Sequence, residues 1–174
     1  MAMRRILAVL VSIGIAGPGL VACSSGMSTS QHTTTSPVGR RAAPQFVASR
    51  LAGGPPVRLA AYRGHPVLVN FWASWCGPCR SEMPALQTFA ARHPGIEVIG
   101  IATLDVNSQS RAFAQSVGAD YTMATDNSGS LLAKFGTVSV PTTVVIDPQG
   151  GVVSTVFGPV TAADLNGIAR QLGV

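Results

Sequence analysis

Lysine is nearly absent from this chain: Lys134 is the one lysine among twelve basic residues, and the other eleven are arginine. They never cluster beyond the pairs Arg4-Arg5 and Arg40-Arg41, so a formal charge of +5 is spread thinly. Binding to nucleic acid needs Lys and Arg gathered on one face, and no nucleic-acid partner is expected. Charged residues make up only 11% against 47% hydrophobic, which excludes a disordered chain and suits a compact core. A length of 174 residues fits one domain with appendages. No internal repeat is visible, and the nucleophile-elbow motif of serine hydrolases is missing. Histidine is limited to His32, His65 and His93, and cysteine to Cys23, Cys76 and Cys79.

The first twenty-two residues read as an export signal rather than part of a fold. Arg4-Arg5 form a short positive region, followed by an apolar stretch from Ile6 to Leu20 broken by Gly14, Gly17, Pro18 and Gly19. A membrane span needs about 20 apolar residues, so this stretch fits a cleaved leader better. Leu20-Val21-Ala22-Cys23 looks like a bacterial lipobox, in which the cysteine becomes the lipidated first residue; the alternative is ordinary cleavage that leaves Cys23 a stray thiol. Residues 23–43 are nearly free of large apolar side chains. They cannot bury enough surface to offset the entropy of ordering and read as a flexible tether, with His32 solvated. The folded domain is expected over residues 44–174.

Within it, Val57 and Leu59 alternate with Arg58 ahead of a turn at Arg63-Gly64. The run from Pro66 to Ala73 is continuously apolar and reads as a buried strand. Apolar Met83, Leu86, Phe89 and Ala90 recur at helical spacing from about Cys76 to Arg92, with Pro84 expected to kink the helix. Ile96 to Thr103 is a second buried strand. Ser108 to Val117 reads as a helix closed by Gly118, Tyr121 to Thr125 as a short strand, and Ser128 to Phe135 as a helix closed by Gly136. Thr142 to Ile146 and Val152 to Phe157 flank Asp147-Pro148-Gln149-Gly150, which is turn chemistry, so they form a hairpin. Thr161 to Asp164 resembles a capping box opening a terminal helix to Leu172. The pattern describes an α/β fold with a central mixed sheet flanked by helices.

Two of the three cysteines stand in Trp75-Cys76-Gly77-Pro78-Cys79, where the first buried strand gives way to a helix. A structural zinc site needs four ligands, usually with a second Cys/His pair at defined spacing. The three histidines are unpaired and none completes a copper site, so no metal is expected. A purely structural disulfide closing so short a loop would constrain the unfolded chain little. Redox chemistry fits the pattern. Cys76 falls at a helix start, where unpaired N–H groups and the helix dipole favour a thiolate, the attacking species in disulfide exchange. Cys79, one turn on, is placed to attack the mixed disulfide and release the partner. Gly77 leaves room for a substrate chain, and Pro78 near the helix start tolerates its missing donor.

"FWASWCGPC" resembles the active-site strand, turn and helix of the thioredoxin superfamily, and "VLVNFWASWCGPCRSEMPAL" resembles its exported TlpA/ResA-like branch. The resemblance covers about Pro44 to Val174. Pro84, five residues after Cys79, stands where thioredoxins kink this helix. "SVPTT" resembles the segment bearing the family's cis-proline, here Pro141, and the stretch between Ile101 and Gly129 resembles the branch's central insertion. The resemblance implies a thioredoxin-like fold with that insertion and an N-terminal β extension. It implies catalysis through Cys76 and Cys79, with Trp75, Gly77, Pro78, Val140 and Pro141 meeting the substrate. Trp75 is expected to shield the disulfide from water; Trp72 fits core packing as well.

One departure stands out. Asn70 occupies the place of the buried aspartate of cytoplasmic thioredoxins, and an amide cannot take a proton. Glu82, three residues beyond Cys79 on the helix, is the available substitute; the other reading of Glu82 is an exposed helix charge. A peroxidase site of the peroxiredoxin kind wants a hydroxyl three residues before its cysteine, where this chain has Ala73. The expected function is an exported, lipid-anchored thiol–disulfide oxidoreductase, with a reductant, for instance in cytochrome c maturation, preferred to an oxidase of folding proteins. A thioredoxin-fold binding module without turnover is the other class. The expected partners are protein thiols and disulfides, a membrane redox partner, and the membrane itself through lipid on Cys23. No cofactor beyond the Cys76–Cys79 disulfide is expected, and the protein is expected to be a monomer.

Overall fold

The computed structural model describes residues 41–174; the stretches expected as export signal and tether up to residue 40, with Cys23 and His32, lie outside them. Short strands come first: β1 (Arg41–Ala42), β2 (Val47–Ala48) and β3 (Val57–Arg58), then a one-turn 3-10 helix (Leu59–Tyr62). There follow β4 (Val67–Trp72), α1 (Gly77–Arg92), β5 (Glu97–Thr103), α2 (Asn107–Ser116), β6 (Thr122–Asp126) and α3 (Ser130–Lys134). The hairpin β7 (Thr142–Ile146) and β8 (Gly151–Phe157) and the helix α4 (Ala162–Gln171) close the chain. Six strands form one mixed sheet in the order β1-β8-β7-β4-β5-β6, with β4, β5 and β6 parallel and β7 antiparallel to β4. β2 and β3 make a separate two-stranded ribbon.

Every residue of β4 is buried, yet its alternation still sorts two cores. Val67, Val69 and Phe71 face a core shared with Phe46, Ile99, Ile101, Phe135 and Val144. Leu68 and Trp72 face the other side, where α1, α2 and α4 pack through Leu86, Phe89, Phe113, Leu165 and Ile168. Asn70 and Gly100 occupy that same helical side, next to each other in register. A polar place thus opens in an otherwise apolar layer, directly beneath the helix that follows the cysteines.

Three local departures have physical reasons. The folded part takes in residues before Pro44: β1 pairs with β8, and Ala43 is buried and donates its N–H to Gly150 O at 2.9 Å. Leu59, expected to continue an alternating strand, instead opens the 3-10 turn and drops into the core. The helix expected over Ser128 to Phe135 is confined to Ser130–Lys134. Gly129 holds φ +71° at its N-cap, and the Asp126 carboxylate accepts the N–H groups of Leu131 and Leu132 at 3.1 and 2.9 Å. The capping box at Thr161 and Asp164 is present. Among the described residues no helix is long and apolar enough to cross a membrane.

Candidate active site

The strand β4 ends at Trp72, and a short turn hands the chain to α1. Cys76 is the N-cap of that helix: its Sγ accepts the N–H of Cys79 at 3.2 Å, with Pro78 inside the first turn. Cys76 and Cys79 are joined in a disulfide with Cα atoms 5.3 Å apart. Cys79 is 0% and Cys76 5% exposed. The helix N-terminus directs the Cys79 N–H at Cys76 Sγ, and that field favours its thiolate once the bond is reduced.

Both cysteines sit in a cluster with Trp72, Ala73, Met83, Phe113 and Met123, and Val140 packs against it. The Val140–Pro141 peptide is cis. Trp72 is thus part of the wall around the sulfurs. Trp75, expected as their shield, stands 61% exposed, its indole Nε1 donating to Leu104 O at 3.1 Å. Gly77 has open space where a Cβ would be. Val138, three residues before Pro141, is 89% exposed.

Glu82 is not an exposed helix charge. It is 3% exposed and points into the sheet. Its Oε1 accepts from Asn70 Nδ2 at 2.8 Å and its Oε2 accepts from Val160 N at 2.8 Å, while Asn70 Nδ2 also donates to Thr143 Oγ1 at 3.1 Å. The glutamate from α1 therefore reaches the strand position whose own side chain cannot carry a proton. Burial pushes its pKa up from 4.5 to about 7, against the pull of the Val160 N–H and the Asn70 amide. A carboxyl in that range can both take and release a proton near neutrality.

Two supporting residues were not singled out from the sequence. Asp105, between β5 and α2, accepts from Ser74 N at 2.6 Å, Ser74 Oγ at 3.0 Å, Ser110 Oγ at 2.6 Å and Val106 N at 2.8 Å. Burial acts to raise its pKa, but the bonds from Ser110, Ser74 and Val106 outweigh it and hold the carboxyl below its usual range. Asp105 thereby ties the turn before Cys76 to the start of α2. An aspartate just ahead of a helical pattern was the available signal. Arg80 spans the same joint, donating to Ser74 O at 3.2 Å with its guanidinium 4.1 Å from the centre of the Phe113 ring. The histidines lie apart: His93 is the C-cap of α1 and packs on Phe89, and His65 follows the 3-10 turn. Among the described residues no three His, Cys, Asp or Glu side chains come together as a metal site.

A mixed sheet that presents a Cys-Gly-Pro-Cys helix start beside a cis-proline defines a thioredoxin-fold thiol–disulfide oxidoreductase. The sequence matches the AhpC/TSA family over residues 39–155, and the chain belongs to that family. It is 32% identical to the thiol:disulfide interchange protein HelX of Rhodobacter capsulatus, over 89% of this chain and 86% of that protein. It is 33% identical to the thiol-disulfide oxidoreductase ResA of Geobacillus thermodenitrificans, over 71% of each. The crystal structure of a DsbF homologue from Corynebacterium diphtheriae superposes with a TM-score of 0.74 at 28% identity, covering 84% of this chain and 98% of that one.

Proposed function

We propose that the protein exchanges disulfides with other proteins through Cys76 and Cys79, as an exported reductant held at the membrane by lipid on Cys23. The observation that carries the reading is the placement of Cys76 at a helix N-cap, with its Sγ taking a helix N–H. In the reducing direction the Cys76 thiolate attacks a partner disulfide, forming a mixed disulfide and expelling one partner thiolate. Cys79 then loses its proton to Glu82, and its thiolate attacks Cys76 Sγ. The second partner sulfur leaves, and two electrons have passed from the dithiol to the partner. Trp75, Gly77, Pro78, Val140 and Pro141 border the attacked sulfur and form the substrate-contacting surface. A backbone free to pair beside Cys76 suits an extended cysteine-bearing segment, such as the haem-attachment region of an apocytochrome c. Ala73 brings no hydroxyl to Cys76, so a peroxidase reading gains no support.

The test pairs trapping with a reduction potential. Cys79→Ser should accumulate mixed disulfides through Cys76, whereas Cys76→Ser should abolish exchange; trapping that required Cys79 instead would reverse the roles. A potential near about −120 mV, at the strongly oxidising end of known dithiol proteins, would replace the reductant with an oxidase. Failure to turn over insulin with a dithiol supplied would leave a binding module.

A further inference from the structure

Three buried polar atoms lack a hydrogen-bond partner among the described residues: Asn70 Oδ1, Trp72 Nε1 and the Tyr121 hydroxyl. The strand register brings them towards one place. Across the helical face of the sheet, Thr143, Asn70, Gly100 and Met123 stand in one row on β7, β4, β5 and β6. Gly100, having no side chain, lets three others close over that row. A Cβ there would meet Met123 Sδ at 2.8 Å, Trp72 Nε1 at 3.0 Å and Tyr121 Cε2 at 3.1 Å. Tyr121 therefore lays its ring over the neighbour of Asn70, and Asn70 holds Glu82 at 2.8 Å. Burial first, and then the nearby Glu82 charge, push the Tyr121 hydroxyl above the usual tyrosine range. Buried polar atoms are nearly always paired, and water is held where several of them converge.

We propose that Tyr121 is a positioning residue for the proton on Glu82, its hydroxyl linked to that carboxyl through water held between Asn70, Trp72 and Tyr121. This rests on the reading of Glu82 as the base for Cys79 and adds the donor that keeps its carboxylate ready. Cys79 gives one proton to the Glu82 carboxylate. The Tyr121 hydroxyl, itself closed off from solvent, keeps its own proton and donates through the bridging water. One proton moves from sulfur to carboxyl, and no electron moves in this step.

The charged residues on the elements packed against α1 are Glu97 on β5, Arg111 on α2, Asp164 and Arg170 on α4, and Asp120 before β6, whose Oδ1 accepts from Gln87 Nε2 at 2.6 Å. Asp164 is engaged in the cap at Thr161, Arg170 is exposed, and none of these residues shifts Glu82. The titratable groups at the site are therefore Cys79, Glu82 and Tyr121.

The experiment compares wild type, Tyr121→Phe and Glu82→Gln in the pH dependence of mixed-disulfide resolution. A donated hydrogen bond favours the carboxylate, so Tyr121→Phe should raise the apparent Glu82 pKa by about one unit. It should also slow resolution, by up to about tenfold, at pH values below the raised pKa, where less of the variant carries the carboxylate, with thermal unfolding unchanged. A Tyr121→Phe profile that overlays wild type, while Glu82→Gln departs from both, overturns the role of Tyr121 alone. If Glu82→Gln also overlays wild type, the reading of Glu82 falls and this inference with it. Independently of any variant, infrared spectra of ring-labelled tyrosine in the wild-type protein should show the Tyr121 C–O band move as Glu82 ionises. A band indifferent to pH through that range overturns the linkage.

Discussion

Replacing Glu82 by Gln should make the oxidised protein more stable, and only above acid pH. The carboxyl binds its proton more tightly in the folded chain, with a pKa of about 7, than in the unfolded chain, with its ordinary value of 4.5. The stability tied to that proton is fully present below 4.5 and is lost as pH rises to about 7. At about 1.4 kcal/mol per pH unit, the interval from 4.5 to about 7 amounts to roughly 3 kcal/mol. Gln removes the titration at small structural cost. Its amide oxygen can accept the Val160 N–H that Glu82 Oε2 now accepts, and a flip of the Asn70 amide turns Oδ1 towards the new NH2 in place of Nδ2. The other carboxylates are common to both proteins and cancel in the difference. With the disulfide closed, no thiol titrates either. Urea unfolding of both proteins from pH 4 to pH 9 should give curves that meet at the acid end. The variant should lead by roughly 3 kcal/mol at pH 8. Parallel curves would refute the reasoning, since they would mean that Glu82 ionises in the fold as freely as in the unfolded chain.

Three further outcomes follow from other parts of the molecule. Gly100→Ala drives a methyl group to 2.8 Å from Met123 Sδ and against the rings of Trp72 and Tyr121; calorimetry should show a loss of about 1–3 kcal/mol from overpacking. Asp105→Asn leaves one oxygen where a carboxylate now accepts four hydrogen bonds. It should cost about 1–3 kcal/mol at pH 7, a deficit in urea unfolding that shrinks in acid as the wild-type carboxyl takes its proton. Cys23→Ala should move the protein from the membrane fraction to the soluble one while insulin reduction by the purified domain stays unchanged.

The layout of the domain was legible because its elements follow local rules that tertiary packing does not contradict. β4, β5 and β7 are apolar runs bounded by turn residues, and buried strands of a mixed sheet look like that. Helix stops were marked by Gly118 and Gly136, both at positive φ, which L side chains avoid. The misses occurred where a distant partner decides. Nothing local to Leu59 says that the chain will turn rather than extend. It turns because the core shared with Phe46 and Val67 takes the side chain there. The early start of α3 was excluded by Asp126, a β6 residue whose carboxylate occupies the N–H groups of the next helix.

The site divides along the same line. The cysteine pair could be read directly because thiol chemistry depends on spacing within one turn of helix. The state of Glu82 could not, since the apolar spacing of α1 shows which face turns inward but not that Asn70 and Val160 will meet a carboxylate there. Its burial is set by Leu86 and Phe89, both buried, which flank Glu82 on the face of α1 and carry it inward. Asn70 then makes sense as a partner rather than a loss. An aspartate there would set a second carboxylate beside Glu82, and like charges so close cannot both ionise; an amide donates to the carboxylate instead. One titrating group is thus kept at this place in the sheet, supplied from the helix rather than the strand. Introducing the strand carboxylate should therefore create a competitor. In Asn70→Asp the two acids should titrate as a coupled pair, and the pH dependence of exchange should broaden into two steps in place of one. A single unshifted step would show that Asn70 and Glu82 do not share the proton's site.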